Sequence, residues 1–116
     1  MKKEYNKVEG ALGEVNVVKY LEDKKYKIIE LNHKNRLGEI DIIAQDKKML
    51  VFVEVKARSS LKFGRPSEAV DWRKQNKLRQ VANLYLIQKG LTNCQCRFDV
   101  VEVIARSEIN HIENAF

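Results

Sequence analysis

The sequence predicts an α/β fold in which a mixed β-sheet is flanked by helices, with elements in the order αβββαβ. Two apolar strand-like segments are joined by a very short turn, which predicts an antiparallel hairpin. A helical segment then separates this hairpin from a further strand, and such a crossover normally sets its two strands parallel. The strands are apolar on both faces, so we expect helices on both sides of the sheet.

The first element is an amphipathic helix predicted from about Asn6 to Lys24. Its apolar residues recur at helical spacing and form one stripe, namely Val8, Ala11, Leu12, Val15, Val18 and Leu21. Glu14 falls on this stripe, where an unpaired carboxylate is unfavourable. A structural salt bridge and a functional ligand therefore remain as alternative roles for Glu14.

Three strands are predicted after the first helix. Their sequences are YKIIELNHKN from Tyr26, GEIDIIAQ from Gly38 and MLVFVEVKAR from Met49. Residues 46–48 supply the turn between the second and third strands. Residues 59–70, SSLKFGRPSEAV, form the one loop-like segment of any length.

The second helix is predicted from its end signals. Asp71 suits the N-cap, the helix extends to about Lys89, and Gly90 suits the left-handed C′ position. The residues expected to face inward are Leu78, Val81, Ala82 and Tyr85. A strand, CRFDVVEVIA, begins at residue 96, and EINHIENAF from residue 108 supplies a short last strand.

Two further residues of this half are interpreted individually. Trp72 is interpreted as a packing residue at the start of the amphipathic helix, with stacking on a base as the alternative. Asp99 lies on an apolar strand and is interpreted as the partner of a neighbouring cation rather than as part of a site.

Charged residues interrupt the two strands of the predicted hairpin. Alternation places Glu54 and Lys56 on one face with Leu50 and Phe52. Asp41 falls roughly opposite Lys56 or Glu54, so two carboxylates would lie side by side. Such a pair needs either a divalent metal or a tightly paired lysine to stay ionised. A metal site and a buried structural ion cluster are therefore the two interpretations.

The net charge of +6 is concentrated in one segment. Residues 56–79 contain eight basic and two acidic residues, whereas the rest of the chain is balanced. This pattern is typical of a polyanion-binding surface, with a solvated lysine-rich face as the alternative. The candidate nucleic-acid contacts are Arg58, Arg65, Arg73, Lys74, Gln75 and Lys77, of which Lys74 and Gln75 open the second helix, where a phosphate can bind.

Six motifs occur in order along nearly the whole chain. They are GALGE at 10–14, GEIDIIA at 38–44, LVFVEVKAR at 50–58, RKQNKL at 73–78, RFDVV at 97–101 and HIENAF at 111–116. This set resembles the YraN-like family of uncharacterised bacterial proteins. The spacing D41-x12-E54-V55-K56 also resembles the PD-(D/E)XK nuclease superfamily, the restriction-endonuclease-like fold that includes archaeal Holliday junction resolvases.

The resemblance implies a restriction-endonuclease-like core and a role for each matched residue. Asp41 and Glu54 would be metal ligands, and Lys56 would position the attacking water or stabilise the charge that develops on the phosphate. Glu14 would be a further acid from the first helix. Carboxylates with a backbone oxygen, for which the Val55 carbonyl is the candidate, suit Mg²⁺ or Mn²⁺.

One departure from the superfamily pattern concerns the residue before Asp41. The signature proline is replaced by Ile40, and Glu39 precedes it. The replacement removes no ligand. Because alternation puts Glu39 on the same face as Asp41, Glu39 is a candidate additional metal ligand.

The function implied by the resemblance is a metal-dependent endonuclease that hydrolyses DNA in repair or recombination. The alternative is a nucleic-acid-binding accessory protein that keeps the fold with little or no cleavage. A basic protein-interaction module would leave the buried acids unexplained. The expected partner is DNA, branched DNA included, and a homodimer is one expected assembly.

Length and composition bound these expectations. At 116 residues and 44% hydrophobic content, residues 1–116 are expected to form one domain. No apolar run approaches the ~20 residues of a membrane span, and the opening MKKEYNKVEG lacks the apolar region of a signal peptide. We therefore expect a cytoplasmic protein without a membrane partner.

Overall fold

The computed structural model describes residues 16–58 and 70–116. The elements in this part of the chain are α1 (Val17–Asp23), β1 (Lys27–Asn35), β2 (Gly38–Asp46), β3 (Met49–Arg58), α2 (Trp72–Gln88), β4 (Cys96–Ile104) and β5 (Glu108–Ile112). The strands form one sheet in the order β1-β2-β3-β4-β5. Strands β3 and β4 are parallel, and the other neighbours are antiparallel. The predicted mixed sheet, hairpin and parallel crossover are confirmed.

Helix α1 begins at Val17 because Asn16 caps it. Asn16 has an extended backbone, and its side-chain oxygen accepts a hydrogen bond from the Lys19 N–H at 3.0 Å. Asn is among the preferred N-cap residues because its side chain satisfies an orphan N–H group of the first turn. The prediction of one continuous helix through Asn16 is therefore wrong. Residues 6–15 lie outside the described part of the chain.

Helix α2 begins and ends where its signals predict. The side chain of Asp71 accepts a hydrogen bond from the Lys74 N–H at 3.0 Å and caps the first turn. Lys89 is the C-cap, and Gly90 follows with a φ of +68° in the left-handed region. The four residues that are expected to face inward are the buried residues of this helix.

None of the helices in the described residues has the length and apolar character of a membrane span.

Two apolar clusters pack on opposite faces of the sheet. Helix α1 contributes Leu21 to the cluster that contains Val51, Val53 and Val55. Helix α2 packs on the other face, whose cluster contains Phe52 and Leu50. Alternation along β3 is therefore regular, as predicted, and it places the side chains of Glu54 and Lys56 on the α2 face.

Strand β2 approaches helix α2 closely at Gly38. Its φ is +146°, a conformation that residues with a side chain rarely adopt. A Cβ atom added there would lie 3.0 Å from Cγ2 of Val81 and 3.5 Å from Cε of Lys77. Because Gly38 has no side chain, α2 can pack directly against the first residue of β2.

We expect Gly38→Ala to lower the free energy of unfolding by about 1–3 kcal/mol, because it adds backbone strain and a steric contact. Urea denaturation followed by circular dichroism measures the change. Gly90→Ala is the matched control, since its φ is also positive but nothing lies within 4 Å of the added Cβ. A loss no larger for Gly38→Ala than for Gly90→Ala would contradict the close approach.

Candidate metal and nucleic-acid site

The ladder between β2 and β3 ends just before the two predicted ligands. Its register runs from Asp46↔Met49 to Ile42↔Val53. One further step would pair Asp41 with Glu54, which is one of the two arrangements that the sequence predicts.

Beyond the end of this ladder, a side chain replaces a backbone acceptor. The N–H of Val55 donates to Oδ2 of Asp41 at 2.8 Å. The Asp41 carboxylate thus takes the place of a β2 carbonyl in the hydrogen-bonding pattern. This contact holds the Asp41 side chain against the backbone of β3, directly beside Glu54 in the sequence.

Strand β2 changes face at Asp41. Ile40 packs in the cluster on the α2 face and Ile42 in the cluster on the α1 face. In a regular strand, residues two apart point to the same face. The β1–β2 register places Asn32 opposite Asp41, and Asn32 has a left-handed φ of +52°. The irregularity resembles the bulges that re-aim side chains in sheets.

The face change affects the predicted role of Glu39. Its placement beside Asp41 assumed regular alternation, which does not hold between Ile40 and Ile42. Glu39 is half-buried, and its backbone pairs with Lys34 of β1. A metal-binding role for Glu39 stays a prediction.

Glu54 is buried on the α2 face between two lysines. Only 2% of its surface is exposed, as for Asp41. Oε2 of Glu54 lies 3.6 Å from Nζ of Lys56 and 3.3 Å from Nζ of Lys74. Two ammonium groups from different elements therefore compensate the charge of one buried carboxylate.

The structure places the ammonium group of Lys74 against Glu54. A contact of Lys74 with DNA, expected from its position at the start of the second helix, stays a prediction. Together with Arg73, Lys74 places positive charge in the first turn of α2, where the helix dipole disfavours cations. Sequence reasoning missed the contact of Lys74 with Glu54 because it joins residues 20 positions apart through tertiary packing.

Glu102 is a second residue that sequence reasoning missed. It is fully buried, and the parallel β3–β4 register places it beside Lys56 on the same face. The amide of Asn110 donates to its Oε1 at 2.6 Å. The signal was present in the sequence, because a glutamate interrupts the apolar run VVEVI just as Glu54 interrupts the run in β3.

The remaining predicted site residues lie either outside or inside the described part of the structure. Glu14 and Arg65, and the side chain of Arg58, lie outside the described part of the structure. Arg73 and Lys77 are exposed on α2. The Gln75 amide donates a hydrogen bond to the Val70 carbonyl at 3.0 Å and so stabilises the backbone just before helix α2. The DNA contacts of the arginines, Lys77 and Gln75, and the role of Glu14 as a further acid of the site, stay predictions.

Trp72 is not a packing residue. Its surface is 71% exposed at the first position of α2, so the interpretation of Trp72 as part of the core is wrong. The buried face of the helix is formed by Leu78, Val81, Ala82 and Tyr85.

The described donors suit a hard divalent cation. The N–H and C=O of one strand residue point to the same edge, so the Val55 carbonyl faces the edge occupied by Asp41. Residues 16–58 and 70–116 contain no group of three or more His, Cys, Asp or Glu side chains that could hold a metal. Two carboxylates and one peptide oxygen nevertheless fit Mg²⁺, which is commonly bound by one or two carboxylates and keeps several waters.

A second charged cluster lies on the α1 face and is structural. Asp99 is fully buried and accepts hydrogen bonds from Arg97 Nε at 2.9 Å, His111 Nε2 at 2.7 Å and the Asn114 N–H at 3.0 Å. The predicted pairing of Asp99 with a neighbouring cation is confirmed. Burial raises the pKa of Asp99, but the hydrogen bonds from His111 and Arg97 outweigh it and the net pKa is lowered.

The same cluster includes Tyr26 and Arg97. Burial raises the pKa of Tyr26 to about 12, with the nearby Arg97 guanidinium acting in the opposite direction. Burial acts to lower the pKa of Arg97, but its hydrogen bond to Asp99 and the charge of that carboxylate raise it overall. Both shifts keep Tyr26 neutral and Arg97 charged at neutral pH, as a structural cluster requires.

Comparison with known proteins identifies a bacterial family. The sequence profile of the uncharacterised protein family UPF0102 matches residues 13–103. A UPF0102 protein of Alkaliphilus metalliredigens is 51% identical over 109 residues, which cover 92% of this chain and 96% of the relative. Similar proteins from Caldanaerobacter subterraneus and Clostridioides difficile are 47% and 48% identical and cover 100% and 96% of this chain, and 100% and 98% of their own length.

We expect Asp99→Asn to cost about 3 kcal/mol of stability at neutral pH, because it leaves the half-buried Arg97 without its main partner. Since the folded-state pKa of Asp99 is lowered, its contribution is present above its ordinary value near 3.8 and is lost as the pH falls through the folded pKa. Urea denaturation of both proteins between pH 7 and pH 2.5 measures the difference. Asp23→Asn, in an exposed pair with Lys19, is the control with little effect. A difference that does not shrink in acid would contradict the role given to Asp99.

Proposed function

This chain belongs to the uncharacterised protein family UPF0102, and we propose that it is a metal-dependent endonuclease that hydrolyses DNA phosphodiester bonds. One observation carries the proposal. At the end of the β2–β3 ladder, the buried Asp41 carboxylate accepts a hydrogen bond from the Val55 N–H, and the buried Glu54 precedes Val55 on β3 with Lys56 and Lys74 beside its carboxylate. A cation-assisted attack on a phosphate requires carboxylate oxygens that bind the cation. It also requires a positive group, such as an ammonium, near the charge that develops.

The energetic cost of this arrangement supports a functional role. Burying a carboxylate is unfavourable unless charge and hydrogen bonds compensate it. Apolar residues at positions 41 and 54 would give the folded state similar or greater stability, since a buried ion cluster adds little net stability over well-packed apolar side chains. The basic first turn of α2 adds a second unfavourable feature at the same place. Proteins tolerate such costs mainly at functional sites.

In the proposed mechanism, a bound Mg²⁺ or Mn²⁺ would stabilise charge on the phosphate and lower the pKa of a coordinated water. Asp41, Glu54 and the Val55 carbonyl would hold this cation. The Val55 N–H fixes the orientation of the Asp41 carboxylate. Lys56, on the same face as Glu54, would place a positive charge where negative charge develops in the transition state.

Helix α2 would provide the surface that follows the DNA backbone. Arg73 and Lys77 are exposed and lie four residues apart, on one side of the helix that carries Lys74 to Glu54. Their contacts would be with phosphates, so binding would be sequence-nonspecific and salt-dependent. Action on DNA, in repair or recombination, would place the protein in the cytoplasm.

A nucleic-acid-binding accessory protein is the second candidate function. The ion pairs of Glu54 with Lys56 and Lys74 favour it, because lysines can compensate a buried acid without any metal. The two candidates share the fold and the basic helix. They differ in whether the chain binds a divalent cation and cleaves DNA.

Isothermal titration with Mn²⁺ and cleavage of labelled branched and linear DNAs separate these candidates. We expect the wild type to bind Mn²⁺, and Asp41→Asn and Glu54→Gln to bind it at least about tenfold more weakly, because each removes a charged ligand. Lys56→Ala should still bind Mn²⁺, while cleavage falls by about 10²- to 10³-fold, the usual effect of losing one transition-state contact. Glu108→Gln, at an exposed position of β5, is the control that changes neither.

Two outcomes would count against the nuclease proposal. Wild type that binds no Mn²⁺ and cleaves none of the DNAs would leave the accessory function. Equal loss of Mn²⁺ binding in Glu108→Gln would show that net charge, rather than this site, determines the affinity.

Charge reversal on α2 tests the proposed DNA surface. We expect the double variant Arg73→Glu and Lys77→Glu to bind duplex DNA at least about tenfold more weakly, and its salt dependence to correspond to about two fewer phosphate contacts. Fluorescence anisotropy at several salt concentrations measures both. The double variant Lys47→Glu and Lys48→Glu, in the β2–β3 turn, makes the same charge change away from the site and should keep the salt dependence. Equal losses in both variants would contradict a localised surface.

A further inference from the structure

We infer that Lys74 is an exchangeable counter-ion of Glu54. Its ammonium group occupies the position of the divalent cation and is displaced when that cation binds. The inference rests on the proposed function. It assigns to Lys74 a role that differs from both a surface DNA contact and a permanent salt bridge.

The distance between the two groups makes simultaneous occupancy unfavourable. Nζ of Lys74 lies 3.3 Å from Oε2 of Glu54, a buried carboxylate oxygen. A cation bound to this carboxylate would lie within a few ångströms of the ammonium group, where like charges repel strongly because water screens them poorly. Either Lys74 moves away or the cation binds weakly.

Lys74 is more easily displaced than Lys56, the other lysine beside Glu54. The Lys56 side chain is 22% exposed, on a central strand where the register places the buried Glu102 next to it. Glu102 therefore brings a second carboxylate to the same face of the sheet, next to Lys56. The Lys74 side chain is 35% exposed, and it reaches Glu54 from the first turn of α2.

The local energetics of α2 also favour departure of the Lys74 side chain. A lysine in the first turn is repelled by the positive end of the helix dipole, and this repulsion opposes the attraction that Glu54 exerts on the Lys74 ammonium. The Asp71 cap binds the backbone N–H of Lys74, not its side chain. The side chain can therefore turn outward while the helix start remains intact.

The inference predicts that Lys74 opposes metal binding. In Lys74→Met the cation no longer competes with an ammonium group for Glu54, so Mn²⁺ should bind at least about tenfold more tightly than to wild type. Lys77→Met removes the same charge from an exposed position three residues along the same helix. Its Mn²⁺ affinity should stay within about twofold of wild type, because solvent screens that charge.

A second measurement uses the metal-free protein in a chelating buffer. Lys74→Met should lower the thermal unfolding temperature when Glu54 is present, and it should have little further effect in the Glu54→Gln background. This non-additivity identifies the pair itself, since substitutions of residues without mutual contact add. Additive effects would overturn the counter-ion role without any reference to a metal.

Calorimetric titration of wild type, Lys74→Met and Lys77→Met with Mn²⁺ separates the outcomes. Tighter binding by Lys74→Met alone supports the exchange. Unchanged or weaker binding by Lys74→Met overturns it, while Mn²⁺ binding by wild type would leave the proposed function intact. Binding by Lys74→Met but not by wild type supports the exchange and rejects a metal-dependent activity for the native chain. Failure of all three proteins to bind overturns both proposals.

Discussion

The hydrogen bond from the Val55 N–H to Asp41 is the contact on which the candidate site depends. At 2.8 Å it replaces a ladder bond with a side-chain bond at the point where the β2–β3 register ends. The face change of β2 at Asp41 and the left-handed Asn32 on the neighbouring strand belong to the same distortion. A regular ladder would satisfy the Val55 backbone with a carbonyl and leave the Asp41 carboxylate without this anchor.

The charged clusters around Asp99 and Glu54 show how differently buried carboxylates can be used. Asp99 accepts hydrogen bonds of 2.7 to 3.0 Å from a guanidinium, an imidazole and a backbone N–H, and its surroundings favour the ionised form. The lysine contacts of Glu54 are longer, at 3.3 and 3.6 Å, and come from side chains that partly reach solvent. Flexible ammonium groups at such distances can be exchanged, whereas the arrangement around Asp99 holds one fixed geometry. The contrast supports a structural role for Asp99 and a functional one for Glu54.

Local signals predicted most of the fold. Alternation along β3 places Glu54 and Lys56 on the α2 face, and the caps Asp71 and Gly90 bound helix α2 as expected. The sequence did not reveal that α1 begins at Val17, because the apolar stripe runs past Asn16, whose side chain caps the helix. Nor could alternation predict the distortion at Asp41, which accompanies a left-handed residue, Asn32, on the neighbouring strand.

In the proposed function, Asp41, Glu54 and the Val55 carbonyl bind a divalent cation at the place where the β2–β3 pairing ends. A crystal structure of the protein grown with Mn²⁺, with anomalous scattering used to locate the metal, tests it most directly. We expect an anomalous peak between the two carboxylates and the Val55 carbonyl, with the Lys74 side chain turned away from Glu54. A structure in which Lys74 still lies against Glu54, with Mn²⁺ absent from this position or bound elsewhere, would contradict a metal site at Asp41 and Glu54.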